Sequence, residues 1–489
     1  MTRYVVRITV AVLGLVGLVS VLFGSVDVDE SVFFLIGQEM RHGSLPYVDL
    51  WDHKGVPIYW LGYVASFFGS YSVLVGRLLS VALPLSGCVA LLKALDVRLS
   101  RDLLLFVISM GLAASASVAY GMMTEQLEAA AVLWSLSLTL AALNCRTTSR
   151  RWLLMFGAGV LSGWGIAARL HVGVYLLALL GLTTFYAVRR RQPDRLVDGG
   201  FLFVGAMLSL ALVGLWLYRA GLLQATYDVY LLGNVTYAQY YRPTLPRMAY
   251  ALRDAVGPFL GLNAFFFIFG LPGLLLIPVR PHKRVALFAA LGIALLLSVG
   301  TRMGQHPHYW TTAFWFLALG SAYALHSATM RRSDVGMNLF NLLFLAALLS
   351  IPVARQGVEL ILKGKDNNVA EELNIYAPQG SRLWIAGGPP GSKLYLDTHT
   401  RPGTRYIYTG GAAWLLFDAD LALQDLIQYR PIIALGPVWY DGSEFRASVP
   451  IAMQEFLKVN YRHMGTIADE PTGLVLEVYQ PKDSTFTQP

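Results

Sequence analysis

Val26–Lys54 reads VDVDESVFFLIGQEMRHGSLPYVDLWDHK and lies between two long apolar segments. Asp29 and Glu30 open an amphipathic run, and Asp49, Asp52, His53 and Lys54 close a loop that also holds Pro46 and Tyr47. A polar loop between membrane spans either faces water harmlessly or builds a site. The rest of the chain decides that it lies between spans. The 489 residues are 55% hydrophobic and 14% charged, with a mean hydropathy of +0.53, where a soluble chain carries about 25% charged residues. Apolar runs recur near the ~20 residues that carry a helix across a bilayer. The expected fold class is an α-helical polytopic membrane protein. Its two cysteines, Cys88 and Cys145, fall in or beside expected spans and form neither a disulfide framework nor a metal-site spacing.

Outward from the loop, Met1–Arg7 is short and basic, and an apolar run follows to about Gly24. No A-x-A-like cleavage site precedes the acidic loop, so this run is read as a retained first span. Pro57–Gly69 is apolar but short and reads as an interfacial helix. Further spans are expected at Tyr71–Leu95, Leu103–Tyr120, Glu125–Leu143, Trp152–Ala168, Leu170–Val188, Phe201–Tyr218, Phe259–Ile277, Val285–Val299, Tyr309–Leu325 and Met337–Val353, about eleven in all. With the N-terminus cytoplasmic, alternate loops carry Arg98/Arg101, Arg146/Arg150/Arg151, Arg189/Arg190/Arg191/Arg195, Arg280/Lys283/Arg284 and Arg331/Arg332. Positive loops stay inside, so one threading satisfies them all. Much of the net charge of +8 is therefore a topology signal, and no nucleic-acid partner is expected. The location that follows is the plasma (inner) membrane.

The span count places the C-terminal region outside. From residue 356 the texture changes, and residues 1–355 and 356–489 read as two domains. Ser381–Ala386 and Pro431–Leu435 read as buried strands, Ala422–Tyr429 as a helix and Gly473–Tyr479 as a last strand, which gives a small α/β domain. The Gly387–Gly391 run lacks the G-x-x-x-x-G-K-[ST] phosphate-loop pattern and reads as a strand-ending turn. Asn234-Val235-Thr236 is a formal glycosylation sequon, a three-residue match that arises easily by chance.

The same threading gathers polar groups on the outer face. Glu125 follows the third span, Arg169 and His171 lie in the short turn between the fifth and sixth, and Arg302, His306, His308 and Tyr309 precede the tenth. They share that face with Asp29, Glu30, Asp49, Lys54 and the aromatic loop Tyr227–Tyr241. Ionisable residues at a membrane edge are costly and point to function. Each also has a plainer reading. Asp29 or Glu30 caps a helix, Glu125 is solvated at a span end, Arg169 and Lys54 snorkel to headgroups, and His306 and His308 are ordinary interface histidines. No metal motif such as H-E-x-x-H is present, and no metal or other cofactor is expected.

The ordered set carries a resemblance. Gly43, Pro46, Tyr47, Asp49, Trp51, Lys54 and Pro57 form G-x-x-P-Y-x-D-x-W-x-x-K-x-x-P. Thr124, Glu125 and Leu127 form T-E-x-L, a small-residue segment runs from Gly163 to Arg169, and Pro307-His308-Tyr309 follows. Together they resemble the GT-C superfamily of membrane glycosyltransferases, nearest to the branch of protein O-mannosyltransferases and lipid A aminoarabinose transferases, over roughly residues 1–355. The resemblance implies a polyprenyl-phosphate-linked sugar donor and transfer outside the membrane. The first-loop acid that acts as catalytic base matches Asp29, with Glu30 beside it. The cations that contact the lipid phosphate match Lys54 and Arg169. The usual K-P-P is replaced by Lys54-Gly55-Val56-Pro57, and an Arg stands where Lys is commoner. The acceptor, whether glycan, lipid or protein, does not transfer from the resemblance.

The chemistry explains the same inventory. Breaking the C1–O bond of the donor sugar develops negative charge on the phosphate, which cations stabilise. The acceptor hydroxyl must lose a proton to a carboxylate as it attacks. One in-line displacement inverts the anomeric carbon. Tyr47, Trp51, Tyr237 and Tyr240 are candidates to stack on the sugar or cover the lipid, and the C-terminal domain either seats the acceptor or caps the cavity. The rival class is a transporter or flippase of lipid-linked sugars, which places polar groups near the membrane midplane on broken helices of paired repeats. This chain concentrates them at one face.

Overall fold

The computed structural model describes residues 2–24, 26, 28–118, 121–240, 262–300, 307–331, 368–386, 391–406, 418–435, 451–469 and 474–483. Helix α1 (Thr2–Phe23) is followed by a helical pair, α2 (Val28–Arg41) and α3 (Val56–Ser66), on either side of the first loop. Helix α2 starts on Asp29 and Glu30 and ends on Arg41, the charge order that suits its dipole. It stops at Gly43, whose φ of 88° is a left-handed conformation open to glycine. Pro57 opens α3 without losing a helical hydrogen bond. The two helices cross where Gly37 meets the backbone of Gly62, with no room for a side chain.

A bundle of long helices follows: α4 (Ser72–Ala94), α5 (Arg101–Val118), α6 (Thr124–Leu143), α7 (Thr148–Ala168), α8 (Val172–Arg189) and α9 (Leu196–Arg219). A π-helical stretch, Thr226–Leu232, runs into α10 (Gly233–Tyr240). Then come α11 (Leu262–Leu276), α12 (Pro281–Gly300) and α13 (Thr311–Arg331). The first ten expected spans each fall on one long helix, and the eleventh, Met337–Val353, lies outside the described residues. Among the described residues, six helices are long and apolar enough to cross a membrane by length and composition. Helices α7 and α9 pack backbone to backbone, because Gly159 and Gly163 face Leu202 and Ala206 while Gly205 faces Phe156. Small residues four apart are the usual device for such close approach in lipid. Helix α6 is the most enclosed, with 83% of its apolar window buried, so polar groups placed on it are surrounded by protein.

The two ends of the bundle differ in chemistry. At one end Arg7 pairs with Asp102 at 2.7 Å, Lys283 with Asp96 at 2.6 Å and Arg151 with Asp198 at 2.8 Å. Arg195 donates to the Leu143 carbonyl at 3.0 Å. These ties join the basic loops that the threading put on one side. The first loop and the α7–α8 turn lie at the other end.

The described residues of the C-terminal region form a five-stranded sheet of order β2-β1-β3-β5-β4, from β1 (Arg382–Ala386), β2 (Arg401–Pro402), β3 (Ile432–Leu435), β4 (Tyr461–Asp469) and β5 (Leu474–Pro481). Strand β1 runs parallel to β2 and β3, with Leu383 opposite Ile432, while β5 is antiparallel to β3 and β4. Helices α14 (Asn368–Tyr376), α15 (Gly391–Thr398), α16 (Ala419–Tyr429) and α17 (Ile451–Asn460) accompany the sheet among the described residues. Strand β4 went unread in the sequence because YRHMGTIAD has no clean alternation, and its pairing carries a register shift between His463 and Gly465. The expected domain boundary near residue 356 and the Gly387–Pro390 turn lie outside the described residues.

Candidate active site

The first loop is held from several directions. Tyr47 has a φ of 69°, an uncommon conformation for a bulky residue that persists only where the surroundings impose it. Its N–H donates to the Leu50 carbonyl at 2.8 Å, and its hydroxyl donates to the Lys54 carbonyl at 2.7 Å. Tyr59 donates to the Asp52 carboxylate at 2.9 Å and to the Lys54 carbonyl at 3.1 Å. The Asn234 amide donates to the His53 carbonyl at 2.8 Å. Burial alone raises the Asp52 carboxyl, but His53, Lys54 and the Tyr59 hydroxyl outweigh it and hold it below the usual carboxylate value.

Gly55 then packs against the carbonyls of Ala167 and Ala168, where a side chain has no space. This explains why a glycine follows Lys54 where K-P-P has a proline. The close approach joins the end of the first loop to the end of α7, and so brings Lys54 toward Arg169. Lys54 Nζ lies 3.8 Å from Asp29. Burial disfavours its ammonium, yet Asp29, with Tyr309, Asp52 and Glu125 behind it, raises the Lys54 pKa above its ordinary value. Arg169 ends α7 in extended conformation. Its Nη1 lies 2.5 Å from Glu125 and 3.3 Å from Glu128, and its guanidinium sits over the Tyr309 ring at 5.2 Å. His171 Nε2 meets Glu128 at 2.8 Å, and the Thr312 hydroxyl donates to the other Glu128 oxygen at 3.0 Å. His308 stacks near Tyr309, 4.5 Å between ring centroids, and acts electrostatically on Glu125. Asp29, Lys54, Glu125, Arg169, His171, His308 and Tyr309 are thus one cluster, drawn from four separate stretches of chain.

Other expected residues sit elsewhere or act differently. Glu30 adjoins Asp29 in sequence, but its side chain is 0% exposed and both oxygens bind Arg77, at 2.7 and 2.5 Å, while the Met122 N–H donates to it at 2.8 Å. One step along a helix turns a side chain about 100°, so the neighbours face different surroundings. A carboxylate so occupied ties α2 to α4; it is not placed to take a proton from an incoming hydroxyl. Asp49 is exposed and accepts the Leu45 N–H at 2.7 Å, closing the turn away from the cluster. Tyr47 and Trp51 are buried in structural contacts, not presented for stacking. Arg302 and His306 lie outside the described residues, as do the side chains of Tyr237 and Tyr240. The Asn234 amide of the sequon also donates to the Tyr230 carbonyl at 2.6 Å, so this side chain is occupied.

Glu128 was missed. A signal existed: Glu125 and Glu128 are three residues apart in T-E-Q-L-E, on one face of a helix. Among the described residues, no group of three or more His, Cys, Asp or Glu is arranged to hold a metal ion.

Neither a family model nor a curated protein matches the sequence. Solved structures do. ArnT from Cupriavidus metallidurans, in the apo state, aligns at 14% identity over 98% of this chain and 98% of that chain, with a TM-score of 0.60. The oligosaccharyltransferase AglB from Archaeoglobus fulgidus aligns less closely. Its complex with an inhibitory peptide and a dolichol-phosphate gives 13% identity over 100% of this chain and 75% of that chain, TM-score 0.45. Its apo form gives 13% identity over 99% and 75%, TM-score 0.47. The fold likeness rests on ArnT, an aminoarabinose transferase, which matches end to end. The chain therefore shares its fold with ArnT over nearly the whole of both chains.

Proposed function

We propose that this protein is an inverting glycosyltransferase that moves a sugar from a polyprenyl-phosphate donor to an acceptor hydroxyl at the outer face of the membrane. The observation that carries the proposal is a partly exposed carboxylate, Asp29, 3.8 Å from Lys54, in a cluster that also holds Arg169 beside Glu125, at the end of the bundle opposite the basic loops. In this reading Asp29 accepts the proton of the acceptor hydroxyl as its oxygen attacks C1 of the sugar. The C1–O bond to the phosphate breaks, and its electron pair leaves with the lipid phosphate. Lys54 and Arg169 stabilise that charge, and Glu125 and Glu128 hold the guanidinium in place. Attack from the side opposite the leaving phosphate inverts the anomeric carbon.

An apolar cavity of about 310 Å³ between α6, α8 and α12 supports a lipid-borne donor. Val132 and Tyr175, which line it, lie one turn from Glu128 and His171, so a chain seated there ends at the cluster. The test is transfer of radiolabelled sugar from a synthetic polyprenyl-phosphate donor by purified protein in nanodiscs, with the product anomer read by NMR. Product of inverted configuration supports the reading. Protein that moves the lipid-linked sugar across liposomes without cleaving it overturns it in favour of a transporter. Retention of configuration overturns the single displacement.

A further inference from the structure

The first loop is shared between the two parts of the molecule. Trp51 is 5% exposed, but what buries it is the core of the C-terminal domain: Trp384 of β1, Tyr406, Ala422 and Leu426 of α16, and Ile433 of β3. Its ring lies 6.3 Å from that of Tyr406. The Trp51 N–H donates to the Arg405 carbonyl at 2.6 Å. That carbonyl is presented by a turn which Asp425 fixes, accepting from the Arg405 N–H at 2.8 Å and from its guanidinium at 3.0 and 2.9 Å. A second tie lies at the end of α2. Arg401 of β2 reaches Glu39 by a fork, with Nε 3.0 Å from one oxygen and Nη2 2.6 Å from the other. Glu39 is one turn from the loop and on the helix that carries Asp29.

We propose that the C-terminal domain is a positioning device for the reaction centre, with Trp51 and the Glu39–Arg401 pair as its positioning residues. The inference rests on the reading of Asp29 and Lys54 given above. Trp51 is three residues from Lys54, a span of at most about 11 Å when extended. Tyr47, Tyr59 and Asn234 hold residues 52–54 from the membrane side. The domain holds residue 51 from above. Lys54 therefore reaches its place only when both sides are docked, and through that placement the domain acts on the reaction. A lost anchor shifts the ammonium relative to the donor phosphate, and a misplacement of ~1 Å costs about 10²-fold in rate.

Two measurements on the full-length protein test this. The first is hydrogen exchange at residues 51–54, which needs no sugar chemistry. Arg401→Ala and Glu39→Ala should each speed exchange there and leave β3 and β5 protected. Unchanged exchange at residues 51–54 in both variants overturns the proposal. The second is kinetic. Trp51→Ala and Arg401→Ala should lower kcat toward the about 10²-fold limit of a misplaced group, with donor KM near wild type. Trp51→Phe, and the exchanged pair Glu39→Arg with Arg401→Glu, should restore much of the loss. A rise in donor KM with kcat unchanged, or no recovery in the restoring variants, overturns the positioning role. If Trp51→Ala does not fold, the Arg401 and Glu39 variants decide alone. Wild-type protein that transfers no sugar defeats the enzymatic reading, while the exchange measurement still decides whether the domain holds the loop.

Discussion

Asp29→Asn and Glu30→Gln, adjacent and nearly isosteric changes, should fail in opposite ways. Asp29 is about a third exposed and lies 3.8 Å from Lys54. Lys54 keeps Asp52 and Glu125 near it when Asp29 is neutralised, so Asp29→Asn should melt closer to wild type than Glu30→Gln does. Asp29→Asn loses the oxygen that takes the proton, and loss of a general base costs ~10²–10⁴-fold in turnover, or about 2.7–5.4 kcal/mol of barrier. Glu30 is the reverse case. It is fully buried against Arg77, itself 1% exposed. Glu30→Gln leaves a guanidinium in the protein interior without its counter-charge, and breaking such a pair costs about 3–5 kcal/mol. The assay is thermal unfolding of each purified variant in nanodiscs, followed by sugar transfer per mole of folded protein. Near-normal turnover by Asp29→Asn refutes its role as base. An unchanged melting temperature for Glu30→Gln refutes the account of the buried pair.

Other expectations follow from the same contacts. Arg169→Lys keeps one charge but loses the planar fork, so it should retain weakened transfer, while Arg169→Ala and Lys54→Ala should lower turnover more than donor affinity. Transfer at the wild-type rate by both alanine variants would remove these residues from the site. Cysteine at Val235 or Val459, both exposed, should react with a membrane-impermeant thiol reagent in intact cells, and cysteine at Arg190 should not; the opposite pattern would invert the orientation read from the basic loops. The Asp52 carboxyl has a lowered pKa in the folded protein. The stability it contributes is therefore present above its unfolded pKa, about 3.9, and is lost as pH falls through the lower folded value. The melting advantage of wild type over Asp52→Asn should shrink below about pH 4, and an advantage that grows there would reverse the sign of the coupling.

Much of this molecule was legible in the chain itself. Hydropathy marks spans because each helix meets its backbone hydrogen bonds internally, so a span needs only length and apolar composition. The basic loops share one end of the bundle for a similarly local reason, since each follows or precedes a span of fixed length. The order of polar motifs then pointed to Asp29, Lys54, Glu125, Arg169 and Tyr309 as one group. What the sequence could not say was which neighbour faces which surroundings. Asp29 and Glu30 are alike in one dimension, and only the arrival of Arg77, 47 residues further on, separates the partly exposed acid from the buried anchor. Trp51 looked like a sugar platform because its covering, Tyr406 and Trp384, lies more than 300 residues away in sequence. Glu128 gained meaning only when α7 ended beside it and delivered Arg169 and His171. Local pattern sets which segments are helical and which loops carry charge; long-range packing sets which of those charges meet and which are sealed from solvent.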